Sequence, residues 1–589
     1  MRPPSRRSPS PPTMSSANKR LLKRNQACRE CRRRKQKCDA AKPHCGSCVR
    51  HWRARVSVPC PPGYTHPPEP ICTYDPIEGL ILSPDQVADP NQRARLLEDK
   101  IAELQVQLLE AQDRHNKELL PPTRGGSRSH SASSTSDGSH SNLSSHGHTA
   151  LPHGASLPDN NTLFHLVDLY FQYDPCGSRM LHPPTLSANL ALSTKHPNYP
   201  HPALLHAISA SAARWMPAEQ GWDQQHQSRF AEYHASCARA HIEEMNATGR
   251  MNFQIHVASI IIAWWLYHQG RWSDAWSLVG SITRTSLGFG LNSPGTHPSR
   301  PESAPYFSPA KDNTDLEMRR RVMWMSVILD RVISVGQWAH SMGEEIIGTE
   351  FPLCNVDYDR QNAITKNPQS LSTGSALTTH IPGYTDSFIL VVKASLLLGR
   401  VTDYNVRRGL HRSSKERHPG AERAHRDFRA IDQLLTDFLL TLPSSMRTCP
   451  TPRISSSGGL KLDVDLYLVH LIPHAATITL HNPLADFYDA NCVSVRRLLQ
   501  AAQSIVVAHN MLHTARFDLK RLHPFVTICW YLAGAVLVRL KEKLEKDRMN
   551  TSSIARDIDL LRQAMVTYGA ASPIGVTQEK LLCDSMQCT

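Results

Sequence analysis

The chain has 589 residues and a formal net charge of +14; 40% of its residues are apolar, 20% are charged, and it holds 42 Pro and 15 Cys. That is length for three or four folding units and apolar content for a large core, which excludes a mini-protein held together by disulfides. The longest apolar run, Phe525 to Val538, spans 14 residues, short of the ~20 a membrane-crossing helix needs, and the Arg/Pro/Ser-rich start offers no apolar stretch for export, so neither membrane spanning nor secretion is expected.

The charge is not spread evenly. Residues 1 to 60 carry 17 Lys/Arg against Glu30 and Asp39, while the rest of the chain holds 49 basic and 50 acidic residues. A cationic block of this kind is the footprint of a segment that binds a polyanion, because Lys and Arg release counterions condensed on phosphates; a solvated tail or an import signal is the plainer reading of the same block. Residues 1–20, with Ser8-Pro9 and Ser10-Pro11, read as a disordered basic tail.

Cysteine is concentrated in the same region. Cys28, Cys31, Cys38, Cys45, Cys48, Cys60 and Cys72 fall within 45 residues, and the other eight are scattered and read as buried small hydrophobes. In a reducing compartment such a cluster binds metal rather than forming disulfides. The segment CRECRRRKQKCDAAKPHCGSC contains two CxxC pairs, Cys28/Cys31 and Cys45/Cys48, with Cys38 between them. CxxC spacing lets both thiolates reach one tetrahedral zinc ion at about 2.3 Å. Two such ions need eight ligand positions, so six thiolates suffice only if two of them bridge. The resulting excess negative charge would be offset by Arg29, Arg32, Arg33, Arg34, Lys35 and Lys37.

These residues resemble the fungal Zn(2)-Cys(6) binuclear cluster, the DNA-binding module of fungal transcription regulators, over Cys28 to Cys72, with Pro43 in the loop before the fourth Cys. The resemblance implies two Zn2+ per chain. It makes Cys28 and Cys45 the bridging ligands, with Cys31 and Cys38 completing one ion and Cys48 and a last Cys the other. It maps base contact onto Arg34 and Lys35 and phosphate contact onto Arg32 and Lys37, with a CGG-type triplet as half-site. A short helix from the second Cys is expected to enter the ~12 Å major groove, where Arg or Lys donate to guanine. The sixth Cys departs from the family spacing: Cys60 and Cys72 are both candidates, and Cys72 is chosen because Cys72-Thr73-Tyr74-Asp75-Pro76 looks like the family's closing CxYxP while Cys60 sits between Pro59 and Pro61. The DNA-binding domain is accordingly drawn over 21–76.

A linker over 77–90 leads to NQRARLLEDKIAELQVQLLEAQDRHNKEL, residues 91–119, free of Gly and Pro. Leu97, Ile101, Leu104, Leu108 and Ala111 alternate at spacings of four and three, the a/d seam of a short coiled coil, with Arg93 and Glu98 at g and e. Ala94 and His115 at a weaken the seam, and a homodimer through this helix is expected from its place after a zinc module. Residues 120–160 are rich in Ser, Gly and His and nearly free of apolar side chains, hence a disordered tether.

Beyond residue 160 helical periods dominate. Leu163, Leu166, Val167 and Tyr170 share a face, as do Leu204, Leu205, Ile208 and Ala212, and Ile255, Ala258, Ile262 and Trp265; further helices are expected at 317–336, 385–403, 421–442, 462–481, 494–513 and 525–545. The fold class is therefore mainly α: a zinc-cluster module, a short coiled coil, a disordered linker and a large all-α array. Several stretches resemble the fungal-specific transcription factor domain, or middle homology region: FHLVDLYFQYDP, HPALLHAISASAARW, Gly270 to Asn292, and EMRRRVMWMSVILDR from Glu317 to Arg331. That domain is drawn over 161–550, followed by a partly helical segment 551–589. Arg319 to Arg321 and Arg331 are read as helix-surface and buried ion-pair residues, and Trp264, Trp265, Trp276 and Trp324 as core; a cavity in the array is a place for a small-molecule effector.

No HExxH, P-loop or GxSxG occurs, and Gly288-Phe-Gly290 lacks a preceding strand, so no enzyme is expected. A zinc-dependent RNA or protein interaction module and a helical enzyme with a zinc appendage are the competing readings. RNA stacking would need aromatics in the basic block, where only Trp52 stands. The expectation is a nuclear, sequence-specific regulator of RNA polymerase II transcription whose partners are double-stranded DNA and the transcription machinery or its co-regulators, with no membrane partner.

Overall fold

A computed structural model describes residues 27–41, 43–57, 69–73, 156–218, 221–293, 310–335, 338–360, 366–411, 420–455 and 458–587. The basic tail 1–20, the linker 77–90, the coiled coil at 91–119, most of the tether 120–160 and Cys60 lie outside the described residues. The chain divides into two compact units, Met1–Asn142 and Leu143–Thr589.

In the first unit two short helices, α1 (Arg29–Arg33) and α2 (Gly46–Val56), each begin directly after the first Cys of a CxxC pair. The reason is local: the Cys28 Sγ accepts from the Cys31 amide at 3.3 Å and the Cys45 Sγ from the Cys48 amide at 3.4 Å, so each sulfur satisfies an otherwise orphaned N–H of a first turn. The sequence reading started the helix at the second Cys. It begins two residues earlier, at Arg29, because Cys28 caps it.

The second unit is built from helices, with two-residue strands at Arg453–Ile454 and Leu460–Lys461 forming a small antiparallel hairpin. Its helices are α3 (Asn160–Tyr173), α4 (Pro183–Leu190), α5 (Pro202–Ala212), α6 (Gln224–Thr248), α7 (Phe253–His268), α8 (Trp272–Gly288), α9 (Asn313–Ile333), α10 (Asn355–Asp359), α11 (Ser387–His411), α12 (Gly420–Thr441), α13 (Val464–His481), α14 (Val493–Thr514), α15 (Phe525–Lys546), α16 (Ser552–Gly569) and α17 (Ile574–Gln587). Polar side chains define the starts: Asp159, Asp223, Asn252, Asp312 and Asp463 each accept from an amide of the first turn that follows.

The helices pack in succession, α3 on α5, α5 on α6 and α7, α7 on α8, α8 on α9, α9 on α11, α11 on α13, and α13 on α14 and α15. The apolar faces read from the sequence are buried, and α7 is buried from Ile255 to His268 on every side. Residues 552–587 join this body, with α16 and α17 packing on α15 and on each other. Among the described residues no helix is long and apolar enough to cross a membrane.

Buried ion pairs pin the loops to α9. Glu317 accepts from Arg320 and Arg321 and from the Leu353 amide, while Arg321 donates to the carbonyls of Arg179 and Leu353 and to Asn355 Oδ1. Asp330 accepts from Arg331 and from the amides of Ser341 and Met342. All of these arginines are buried and paired, Arg319 with Asp315, so none serves as helix surface. Two further expectations change. Trp276 is 40% exposed and lies edge-on to the equally exposed Trp338, at a centroid distance of 5.2 Å, rather than in the core with Trp264, Trp265 and Trp324. Cys176, Cys237 and Cys529 are buried, but Cys354, Cys449, Cys492 and Cys583 are only half-buried.

Candidate metal centre and nucleic-acid interface

Among its described residues the first unit has almost no aliphatic core; their interior is sulfur. Cys28, Cys31, Cys45, Cys48 and Cys72 are buried and Cys38 packs against them. The sulfurs of Cys28, Cys31, Cys45 and Cys48 all lie within 4.8 Å of one another. Four of the separations are 3.7 Å (Cys28–Cys45), 3.7 Å (Cys28–Cys48), 3.5 Å (Cys31–Cys45) and 3.9 Å (Cys31–Cys48). Sulfurs bound at 2.3 Å to one tetrahedral ion stand about 3.8 Å apart, so these thiols already have the spacing of zinc ligands. The resemblance assigns Cys31 and Cys48 to different ions, whereas here they sit in one sulfur group. Cys38 Sγ comes within 4.8 Å of Cys45 Sγ and an Asp39 carboxylate oxygen.

The two halves of the module repeat each other. The Cys28 amide donates to Cys38 Sγ at 3.5 Å, and the Cys45 amide to Cys72 Sγ at 3.2 Å. The Arg29 amide donates to the Thr73 carbonyl at 2.7 Å, and the Gly46 amide to the Asp39 carboxylate at 2.9 Å. First Cys, helix, third Cys and the residue after it thus occupy equivalent places in both arms, and Cys72 is the counterpart of Cys38. The Cys48–Cys72 separation in sequence differs greatly from Cys31–Cys38, which is why spacing alone left the sixth position open.

Electrostatics explain why the cage favours divalent cations. Burial opposes ionisation of all four closely grouped thiols. At Cys28 the Cys31 amide and the adjoining thiols outweigh burial and bring it down to about 6, whereas Cys31 and Cys48 are pushed up to about 12 and Cys45 is raised as well. Several thiolates held this close become compatible once divalent ions supply positive charge among them.

The basic residues divide between outside and inside. Arg32, Arg33, Lys35 and Lys37 are exposed. Arg34 turns inward: its Nη2 donates to Cys48 Sγ at 3.1 Å and its Nε to the Glu30 carbonyl at 3.3 Å. Lys35 follows α1 at φ 51°, a left-handed conformation closed by bonds from the Lys35 amide to Arg32 O and from the Gln36 amide to Cys31 O. The second arm adds Arg50 and Arg53, exposed on α2, which sequence reasoning overlooked. The recurrence of CxxC at the head of both helices was the signal that a second cationic helix should be sought.

Comparison with known proteins agrees with this geometry. Residues 26–60 match the fungal Zn(2)-Cys(6) binuclear cluster domain, and residues 167–430 match the fungal specific transcription factor domain. The former holds two zinc ions, and the sulfur cage suits that content. The match ends at residue 60, although the cluster is closed in space by the segment carrying Cys72. The chain is also 25% identical over 226 residues to the pigment biosynthesis transcriptional activator pigB of Monascus ruber, a stretch that takes in 38% of this chain and 38% of that protein. A zinc-cluster domain and a transcription-factor domain in one chain are the parts of a DNA-binding transcription regulator.

Proposed function

We propose that the chain is a nuclear, zinc-dependent regulator of RNA polymerase II transcription that reads CGG-type half-sites as a dimer. The observation that carries this reading is the sulfur cage with its two capped helices, because a metal-stiffened module of this size has no other means of holding cations rigidly against a duplex. In this reading Cys28 and Cys45 bridge the two ions and Cys31, Cys38, Cys48 and Cys72 complete their shells. Lys35 reads bases, Arg32 and Lys37 hold phosphates, and Arg34, bonded to Cys48, supports the cluster. Residues 91–119 supply the dimer contact, and the length of chain between Thr73 and that helix sets the spacing of the half-sites. The helical domain communicates with co-regulators or the transcription machinery.

The test is metal content joined to site selection with the full-length protein. Two zinc ions per chain are expected, together with recovery of one recurrent duplex from a random pool at physiological salt. Cys72→Ser should lower the zinc content or unfold the module, while Cys60→Ser should change neither. One zinc per chain in the unaltered protein removes the shared-thiolate scheme. A pool that returns no preferred sequence removes the DNA reading.

A further inference from the structure

In the helical body, α8, α9, α11, α13, α15 and α17 converge on a cavity of about 910 Å3. Its walls are mostly apolar, among them Trp272, Ile333, Ile528 and Leu532, with Ser273, Asn482 and Gln578 as neutral polar members, and no acidic side chain lines it among the described residues. Two polar side chains of α11, Asn405 and Arg408, are among its lining residues, and Arg408 is the one cation of that lining among the described residues. Asn405 donates through Nδ2 to the Thr479 carbonyl at 3.0 Å, which fixes its amide and leaves a buried Oδ1 with no donor. One turn further along, Arg408 presents a buried Nη1 that also lacks a partner. Trp338, half of the exposed Trp276–Trp338 pair, stands among the lining residues.

A guanidinium N–H and an amide oxygen left unmatched in the wall of a cavity are costly where they lie, and a small rotation of either side chain would turn them to a ligand. Their chemistry specifies what that is. The cation calls for a carboxylate or comparable anion, the amide oxygen for a donor such as a hydroxyl, and the walls for an apolar body of the size of a small organic ligand. We propose that this cavity is a binding site for an apolar organic acid, with Arg408 receiving the carboxylate. It is independent of the DNA reading, since every residue in it belongs to the second unit.

Calorimetric titration of the full-length protein with decanoate and with decanol tests this. Decanoate should bind with one equivalent per chain and more tightly than decanol. Arg408→Gln should weaken decanoate at least about tenfold, as expected on losing a charge-assisted hydrogen bond, and leave decanol as it was. Leu581→Trp, placed at a lining position that is 45% exposed and therefore tolerant of bulk, should block both. Should Arg408→Gln fail to fold, the decanoate-to-decanol preference and the Leu581→Trp variant still decide. Equal affinity for acid and alcohol, unchanged decanoate binding in Arg408→Gln, or unchanged binding in Leu581→Trp each overturns the proposal, as does the absence of binding by either probe.

Discussion

Two neighbouring side chains in the first unit separate reading from support. Lys35 occupies a left-handed conformation at φ 51°, where glycine is at ease and a side chain costs about 1 kcal/mol. Strain of this kind persists where the side chain is needed for something other than stability. Lys35→Gly is therefore expected to keep or raise the melting temperature of the zinc-loaded protein while its affinity for the preferred duplex falls by roughly 10- to 100-fold, and its affinity for random duplex much less. Lys37→Ala should weaken both duplexes alike, as a phosphate contact does. Arg34 behaves in the opposite way if its bond to Cys48 is what matters: Arg34→Ala should speed zinc transfer to a chelator, by about 10-fold or more, since groups that hold a ligand sulfur tune its metal affinity. A metallochromic indicator reads that rate directly. An Arg34→Ala protein that keeps its zinc normally and loses only sequence preference returns Arg34 to the bases.

At the scale of elements, close approaches decide which substitutions the fold tolerates. A Cβ on Gly46 would stand 2.5 Å from the Asp39 carboxylate that accepts the Gly46 amide. Gly46→Ala must push Asp39 away and orphan the first amide of α2, a loss of about 1–2 kcal/mol that should appear as easier unfolding by chelator. In the helical body, Glu317 is buried and holds two buried arginines and the Leu353 amide. Glu317→Ala takes the carboxylate from Arg321 and leaves Arg320 only Glu350 at 3.6 Å, and should cost about 3–5 kcal/mol in denaturant titrations followed by tryptophan fluorescence. Much of this architecture was legible. The CxxC pairs announced the metal centre, and apolar periodicity placed the helix read at 525–545 at Phe525–Lys546 and that at 494–513 at Val493–Thr514. Helix α6 escaped because most of its buried stripe, including Ala231, His234, Ala235 and Ala238, is small or polar and large apolar side chains enter it only at Ile242 and Met245. The inward turn of Arg34 was illegible for a different reason: it depends on Cys48, which comes beside it only after the two arms fold together.

For the whole molecule, the distribution of buried histidine sets a direction of pH response that composition alone does not reveal. His256 and His523 lie deep in the helical body, where burial brings each down to about 3; beside His523, Arg179 acts in the same direction. His256 bonds Ser286 through one ring nitrogen while the other has no partner, and His523 accepts from the Phe525 amide. Each is therefore neutral in the folded chain over a range where the unfolded chain binds a proton. With the folded value lowered below the unfolded one near 6.5, their stabilising contribution is complete above that pH and is lost as pH falls from about 6.5 towards 3. At 1.36 kcal/mol per unit, each should withdraw about 2 kcal/mol between pH 6.5 and pH 5. Denaturant unfolding followed by tryptophan fluorescence should thus show a lower midpoint at pH 5 than at pH 7, and His256→Gln should flatten that dependence by about one histidine's share. A stability unchanged over this interval would mean that these imidazoles accept protons in place, and that the cores around α7 and the start of α15 admit water.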